Sequence, residues 1–249
     1  MIRNLLLLGV LLGVNIPSIL KEQTLLESQL QYEKVEEAFK KFDKSWEEIC
    51  AERNLVYPPD NLFVRVFKRE KIVEVWGSGG DDSFVLLKDF PICALSGDLG
   101  PKRMEGDKQV PEGVYNVELF NPVSKYHLSV KINYPNKSDK ILGHRIYPGS
   151  NIFFHGGCKT IGCIPLTDEL IKEFYTLALK SYSNNGKLPV HIFPFKMDGE
   201  EYEKACEEMQ NNKKFWSEIQ PIYQFFETKK ALPIVSIDNG GSYRLVNLN

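Results

Sequence analysis

Histidine and excess basic charge are both scarce in this chain. Four histidines occur among 249 residues, and 31 Lys and Arg face 33 Asp and Glu, giving a formal net charge of −2. Proteins that bind nucleic acid usually carry a basic patch or stripe, so we set that class aside and expect no nucleic-acid partner. The 43% hydrophobic and 26% charged content is typical of a globular protein with a packed core.

A long hydrophobic run is also missing from the N-terminus. Residues 5–14 are apolar and Arg3 is the only charge before Lys21, but this run is shorter than the roughly 20 residues of a membrane-spanning helix. A short positive region before such a run is typical of a secretory signal. We therefore expect an exported protein of the periplasm or cell envelope, with residues 1–20 as a signal peptide or membrane anchor. A buried N-terminal helix is the alternative.

Cysteines are too few and too scattered for a small disulfide scaffold. An odd number in an exported protein leaves at least one thiol unpaired or paired between chains, and catalysis is one reason to keep such a thiol. Cys93 lies between Ile92 and Ala94, which predicts a core position. The five cysteines are Cys50, Cys93, Cys158, Cys163 and Cys206.

The hydrophobic period divides the chain. Spacings of three to five predict an amphipathic helix over 22–52, and alternating segments from residue 62 onward predict strands. Further helices are expected near 167–183 and 199–227, with a last strand near 233–238. The sequence has no internal repeat. It predicts a mainly β, α+β fold with a helical segment at 21–56, a β-rich domain at 57–198, and a C-terminal helix and strand extension at 199–249 packed on that domain.

The chemistry is concentrated in the segment NIFFHGGCKTIGCIPL, residues 151–166. Three interpretations are open. His155, Cys158 and Cys163 are possible metal ligands with His144 or His191, although the spacing matches no familiar zinc pattern. Cys158 and Cys163 are also close enough in sequence for a disulfide across a short loop.

The third interpretation is a cysteine nucleophile with a histidine base. His155 ends a buried strand, and Cys163 follows Gly162 shortly before a predicted helix. An imidazole next to a thiol can take its proton and generate the reactive thiolate. The N–H groups of Gly162 and Cys163 are then candidates to hold an oxyanion.

Several segments resemble one known family. HGGCKTIGC with IPLTD, GDLGPKRMEGDKQVPEGVY (97–115), NPVSKYHLSVKINYPN (121–136) and LPVHIFPFKM (188–197) are similar to the L,D-transpeptidase catalytic domain family, also called YkuD-like, and to its YafK-like branch. The resemblance covers about residues 57–235. It implies a β-rich, sandwich-like catalytic domain in the cell envelope that acts on peptidoglycan stem peptides, with no metal or organic cofactor. A peptidoglycan-linked envelope protein is a further partner that it implies.

The resemblance also implies roles for particular residues. Cys163 is the nucleophile and His155 its base, while the carbonyl of Gly156 orients the imidazole ring. Thr160 takes the place of a common serine. Ile161 and Pro165 replace a histidine and an arginine of the wider family.

The missing arginine leaves the group that binds a substrate carboxylate unassigned. A guanidinium is a natural carboxylate clamp, and several basic residues are candidates to replace it. Together with Thr160, the expected substrate-binding residues are Lys102, Arg103, Arg145 and Lys159.

Two outcomes of an acyl-enzyme remain open at this stage, and one reading involves no catalysis. An amine acceptor would give a cross-link, whereas water would give an amidase or carboxypeptidase that releases envelope protein or a terminal residue. The third reading is a peptidoglycan-binding module without catalysis. The presence of both His155 and Cys163 argues against it, because a binding module needs no exposed thiol.

Overall fold

Helices and strands follow the change of hydrophobic period along the sequence. The computed structural model describes residues 24–80 and 83–246, so the predicted signal or anchor at 1–20 lies outside the described residues. The helices are α1 (Leu25–Gln29), α2 (Glu33–Glu52), α3 (Lys137–Leu142), α4 (Asp168–Asn185), α5 (Gly199–Glu208) and α6 (Gln210–Lys229). The strands are β1 (Asn61–Phe67), β2 (Ile72–Ser78), β3 (Val85–Pro91), β4 (Gly113–Asn121), β5 (Ser129–Ile132), β6 (Phe153–His155), β7 (Ile164–Pro165), β8 (Pro189–Phe193), β9 (Val235–Ile237) and β10 (Tyr243–Leu245).

Strands β1 to β8 form one sheet in the order β3-β2-β1-β8-β4-β5-β6-β7, and β9 pairs with β10. Neighbouring strands run antiparallel except for two parallel pairs, β1 with β8 and β6 with β7. The fold is α+β with a large sheet, so the predicted fold class is confirmed. Within the described ranges, no helix has the length and apolarity needed to cross a membrane.

The sheet is strongly curled, because β4 changes partner along its length. Its first half pairs with β8 and its second half with β5, and the register shifts between Val117 and Leu119. Such bulges bend a strand and increase its twist. The curl brings the two edges of the sheet together, where the Cys93 N–H, just after β3, donates to the Pro165 carbonyl of β7 at 3.1 Å. The segment 151–166 therefore lies where the curled sheet closes.

Helices α2 and α4 cover one face of the sheet. Ile171, Phe174 and Leu177 recur along α4 at three-residue spacing and are buried. The indole N–H of Trp46 on α2 donates to the Glu173 carbonyl at 2.8 Å, and its ring packs against Phe90 of β3. This packing fixes α4, whose first turn contacts the loop 156–162 through Asp168.

Two predicted helices are each divided in the structure. The helix expected over 22–52 breaks at Tyr32, which is extended. The break lets Gln29 dock between β4 and α4, where it donates to the Phe120 carbonyl and accepts from the Tyr175 hydroxyl. The helix expected over 199–227 breaks at Met209, whose φ of −122° and ψ of 58° are not helical. Helical periodicity alone does not reveal these turns.

A second core joins α6 to the opposite face, and a buried charge cluster lies beside it. Glu112, fully buried, accepts from the ammonium of Lys68 at 2.9 Å, from the Trp216 indole at 2.9 Å and from the Gly100 N–H at 2.6 Å. Lys68 is itself 3% exposed. The cluster connects β1, the loop before β4, and α6.

The Glu112→Ala variant should be strongly destabilised, because it leaves the Lys68 ammonium buried without its counter-ion. Breaking a buried pair in this way costs about 3–5 kcal/mol. Urea unfolding measures the change in the free energy of unfolding. The matched control is Glu48→Gln, which removes an exposed pair with Lys44 and should cost about 0.5 kcal/mol. Equal losses in the two variants would contradict a structural role for the buried pair.

Candidate active site

His155 ends β6 and is held in a buried position. The side chain is 3% exposed, and its Nδ1 lies 2.6 Å from the Gly156 carbonyl oxygen. A carbonyl only accepts hydrogen bonds, so Nδ1 carries the proton and Nε2 is left as the basic nitrogen. The ring of Tyr126 lies 4.8 Å from the imidazole ring, centroid to centroid.

Cys163 precedes β7 and shares a face with His155. The parallel register pairs Phe154 with Ile164 and His155 with Pro165, so Cys163 falls opposite Phe153. Residues two apart on a strand point to the same side, which puts Cys163 on the His155 side. The Cys163 thiol donates weakly to the Asn151 carbonyl at 3.7 Å.

His155 and Cys163 open into the same cavity of about 390 Å³. Its walls come from the loop between β4 and β5, from β6 and from the loop before β7. Other residues that line it are Tyr126, Lys125, Phe153, Lys159, Thr160 and Ile161. Ile161 is 79% exposed at the rim. The dimensions suit a peptide side chain or a small ligand rather than a single ion.

Burial keeps both members of the pair neutral at rest. It lowers the pKa of His155 below the ordinary value of 6.5, against the hydrogen bond to Gly156. It also raises the pKa of the Cys163 thiol above its ordinary 9.0, against the Phe153 N–H and the charge of Lys102. At pH 7 the imidazole is therefore a free base and the thiol is protonated. This arrangement favours general-base catalysis over the preformed thiolate that a helix N-terminus would stabilise.

Thr160 closes the turn before the cysteine. Its Oγ1 accepts from the N–H groups of Gly162 (3.1 Å) and Cys163 (2.8 Å) and donates to the Cys163 carbonyl at 2.9 Å. The two N–H groups expected to be free for an oxyanion are therefore occupied in the resting protein. Gly162 has a φ of +135°, and a Cβ there would lie 2.9 Å from the Gln109 carbonyl oxygen, so this turn requires glycine.

The peptide unit between Gly156 and Gly157 is held at both ends. Its carbonyl accepts from His155, and its N–H donates to Oδ1 of Asp168 at 2.8 Å. A Cβ on Gly156 would lie 2.7 Å from the Tyr126 carbonyl oxygen and 2.5 Å from the same Asp168 oxygen. Asp168, in the first turn of α4, is a positioning residue that the sequence pattern did not distinguish from an ordinary acidic helix start.

The cysteines pair differently from the expectations. Cys158 is bonded to Cys93, with a Cα–Cα distance of 5.4 Å. The predicted core position of Cys93 is wrong, because this residue is exposed at the closing edge of the sheet. A Cys158–Cys163 disulfide and a metal set that includes Cys158 are both ruled out by this bond. Cys50 and Cys206 are buried, which leaves Cys163 as the accessible free thiol.

The four basic candidates have different surroundings in the structure. Lys102 is 4% exposed and pairs with Asp107 and the Met104 carbonyl, so it acts on the site through its charge rather than by contact. Arg103 lies 3.6 Å from the Asp139 carboxylate. Arg145 is exposed and does not line the cavity.

Lys159 alone of the four lines the cavity. Lys125 lines it as well, and no sequence motif distinguished this lysine. The ammonium groups come from two different loops that meet only in the folded chain. Tyr126 and Asn151 are further cavity residues that sequence reasoning missed.

Comparison with known proteins gives the class. The family model for the L,D-transpeptidase catalytic domain matches residues 62–192, which include both His155 and Cys163. The chain is 32% identical over 182 residues to an Escherichia coli protein named "Putative L,D-transpeptidase YafK", in strain K12 and in O157:H7, covering 72% of each chain. The chain belongs to the L,D-transpeptidase family.

Solved structures are more distant. The helical cell shape determining protein Pgp2 from Campylobacter jejuni matches with a TM-score of 0.46 and 18% identity, over 72% of this chain and 73% of that one. Bd1075 from Bdellovibrio bacteriovorus matches with a TM-score of 0.39 and 24% identity, over 67% and 62% of the two chains.

The pH dependence of Cys163 alkylation tests the neutral pair. In the wild-type protein the rate with iodoacetamide should rise as His155 loses its proton below pH 6.5, stay level, and rise again as the thiol ionises above pH 9. His155→Ala should lack the first rise and react more slowly at pH 7, by roughly 100-fold or more.

The labelling rate is read for the Cys163 peptide by mass spectrometry. His144→Gln is the matched control, because His144 is exposed and does not line the cavity. Superimposable profiles for wild type and His155→Ala would show that the imidazole does not activate this thiol.

Proposed function

We propose that this protein is a cysteine acyltransferase of the cell envelope that acts on peptidoglycan stem peptides. The observation that carries the proposal is the His155 and Cys163 pair at one cavity, with the imidazole tautomer set by the Gly156 carbonyl. Family membership supplies the substrate class. A module that only binds peptidoglycan would have no need of an imidazole base and an accessible thiol at the same cavity.

The reaction follows from the protonation states. Nε2 of His155 takes the Cys163 proton as Sγ attacks the carbonyl carbon at the L-centre of the diamino acid. The imidazolium then gives that proton to the leaving amine, and a thioester forms. An oxyanion bound by the N–H groups of Gly162 and Cys163 would have to displace the Thr160 hydroxyl, which moves by rotation about a single bond. In this role Thr160 positions the loop instead of binding substrate.

The thioester is resolved either by an amine acceptor or by water. The first outcome is transpeptidation, and the second is L,D-amidase or carboxypeptidase activity that releases an envelope protein or a terminal residue. Both use the same acyl-enzyme, and both are carried forward as outcomes of one experiment.

Export is supported by the Cys93–Cys158 bond. Disulfides persist in oxidising compartments and are rare in the cytosol, and this one lies at the protein surface, where reductants reach it. The bond agrees with the secretory pattern of residues 1–20 and with a substrate in the cell wall.

Incubation with purified muropeptides, followed by mass spectrometry, tests the proposed function. The wild-type protein should convert them and give a thioester adduct on Cys163, whereas Cys163→Ala should lose activity by on the order of a thousandfold or more while keeping its fold. Cross-linked products identify the transpeptidase, and trimmed or released products identify the hydrolase. Binding without any product would leave the peptidoglycan-binding module as the correct reading.

A carboxylate on the substrate should be held by Lys125 and Lys159. Among the described residues that line the cavity, these two are charged and none is Asp or Glu. A chain with a net charge of −2 thus presents a locally positive site beside its nucleophile. This pair is our assignment for the role of the missing arginine at Pro165.

Charge selectivity can be measured with two alkylating reagents of similar size. The ratio of Cys163 labelling rates for iodoacetate over iodoacetamide should fall roughly fivefold in Lys125→Gln/Lys159→Gln, because exposed charges contribute about 0.5 kcal/mol each. Added salt should lower the wild-type ratio toward the same value. Lys44→Gln/Lys204→Gln, exposed lysines of α2 and α5, should leave the ratio unchanged. The assignment fails if both double variants behave alike.

A further inference from the structure

The Cys93–Cys158 disulfide joins two segments that are 65 residues apart in sequence. Cys93 follows β3, at one edge of the curled sheet. Cys158 lies in the loop 156–162, between the base His155 and the nucleophile Cys163. The bond therefore ties the far edge of the sheet to the loop that separates the two reacting side chains.

The exposed part of that loop has few other attachments. Cys158, Lys159 and Ile161 are exposed. The hydrogen bonds of Thr160 reach only to its near neighbours Gly162 and Cys163. Gly157 has a φ of +70°, which glycine adopts without strain, and its N–H is bonded to Asp168. In the described part of the chain, the disulfide is the covalent tether at the apex of this loop.

The tether reaches the imidazole through two consecutive peptide units, which Gly157 joins. Cys93 Sγ lies 3.4 Å from the Gly157 carbonyl oxygen, and the Cys93 N–H donates to Pro165 at 3.1 Å. Gly157 shares a planar peptide with Gly156, whose carbonyl fixes the proton of His155 on Nδ1. A rotation at Gly157 that breaks its N–H bond to Asp168 would turn that carbonyl away and remove the reason for Nε2 to be the free base.

We propose that the Cys93–Cys158 disulfide is a positioning element for His155, and that its reduction lowers the reactivity of Cys163. The inference rests on the proposed function for its biological meaning. In the reduction, a dithiol reductant becomes a cyclic disulfide, the S–S bond breaks, and each sulfur takes one proton. Because reducing compartments keep such bonds open, the protein is less active before export and reaches full activity once the bond forms.

The test compares oxidised wild type, dithiothreitol-reduced and desalted wild type, and Cys93→Ser/Cys158→Ser. Cys163 labelling by iodoacetamide is followed against pH, peptide by peptide. In the reduced protein and in the double variant the rate at pH 7 should fall roughly tenfold, a part of what a general base contributes. The rise below pH 6.5 should weaken, so that the profile approaches that of His155→Ala. Dithiothreitol should have no effect on the double variant.

Circular dichroism and the melting temperature separate positioning from general stability. A purely structural bond would lower the melting temperature and leave the pH profile unchanged, and that result would overturn the inference. Reduced wild type answers the same question if the double variant does not fold. Labelling of Cys163 needs no peptidoglycan, so it tests the role of the disulfide independently of the substrate. If the oxidised wild-type protein does not convert muropeptides, the proposed function is refuted and the inference on the disulfide is not.

Discussion

The site depends on a parallel strand pair with a very short connection. Parallel neighbours usually need a crossover of a dozen or more residues, but β6 ends at His155 and β7 begins at Ile164. Three glycines, the Thr160 turn and the Asp168 contact make the short loop possible. The same pairing puts His155 and Cys163 on one face of the sheet. Strand register, loop conformation and the placement of these two side chains therefore depend on one another.

Closure of the half-barrel supplies the surroundings of that pair. The change of partner along β4 curls the sheet until Cys93 meets Pro165, and the buried Glu112 cluster joins the loop before β4 to α6. Charges buried in this way need their partners. The loop 156–162 and β7 are held to the far edge of the sheet by the Cys93–Cys158 disulfide and by the hydrogen bond from Cys93 to Pro165.

Burial also sets the resting charges of the pair. A histidine and a cysteine exposed to water would titrate near their ordinary pKa values. Here desolvation lowers the pKa of His155 and raises that of Cys163, so both side chains are neutral at pH 7. Lys102, which is paired with Asp107, partly offsets the rise in the pKa of Cys163 through its positive charge.

The hydrophobic period and the HGGCKTIGC segment are local signals, so they were enough to predict the α+β class, most strands and the candidate pair. The remaining features of the site depend on contacts that form only in the folded chain. The Cys93–Cys158 bond and the cavity that Lys125 and Lys159 share bring together residues that are distant in sequence. The helix breaks at Tyr32 and Met209 are likewise not visible in the hydrophobic period. Whether an N–H of Gly162 is free or bound to Thr160 depends on a turn geometry that residue types alone do not specify. Local physics selects the elements, and burial and long-range contacts set the states of the groups that react.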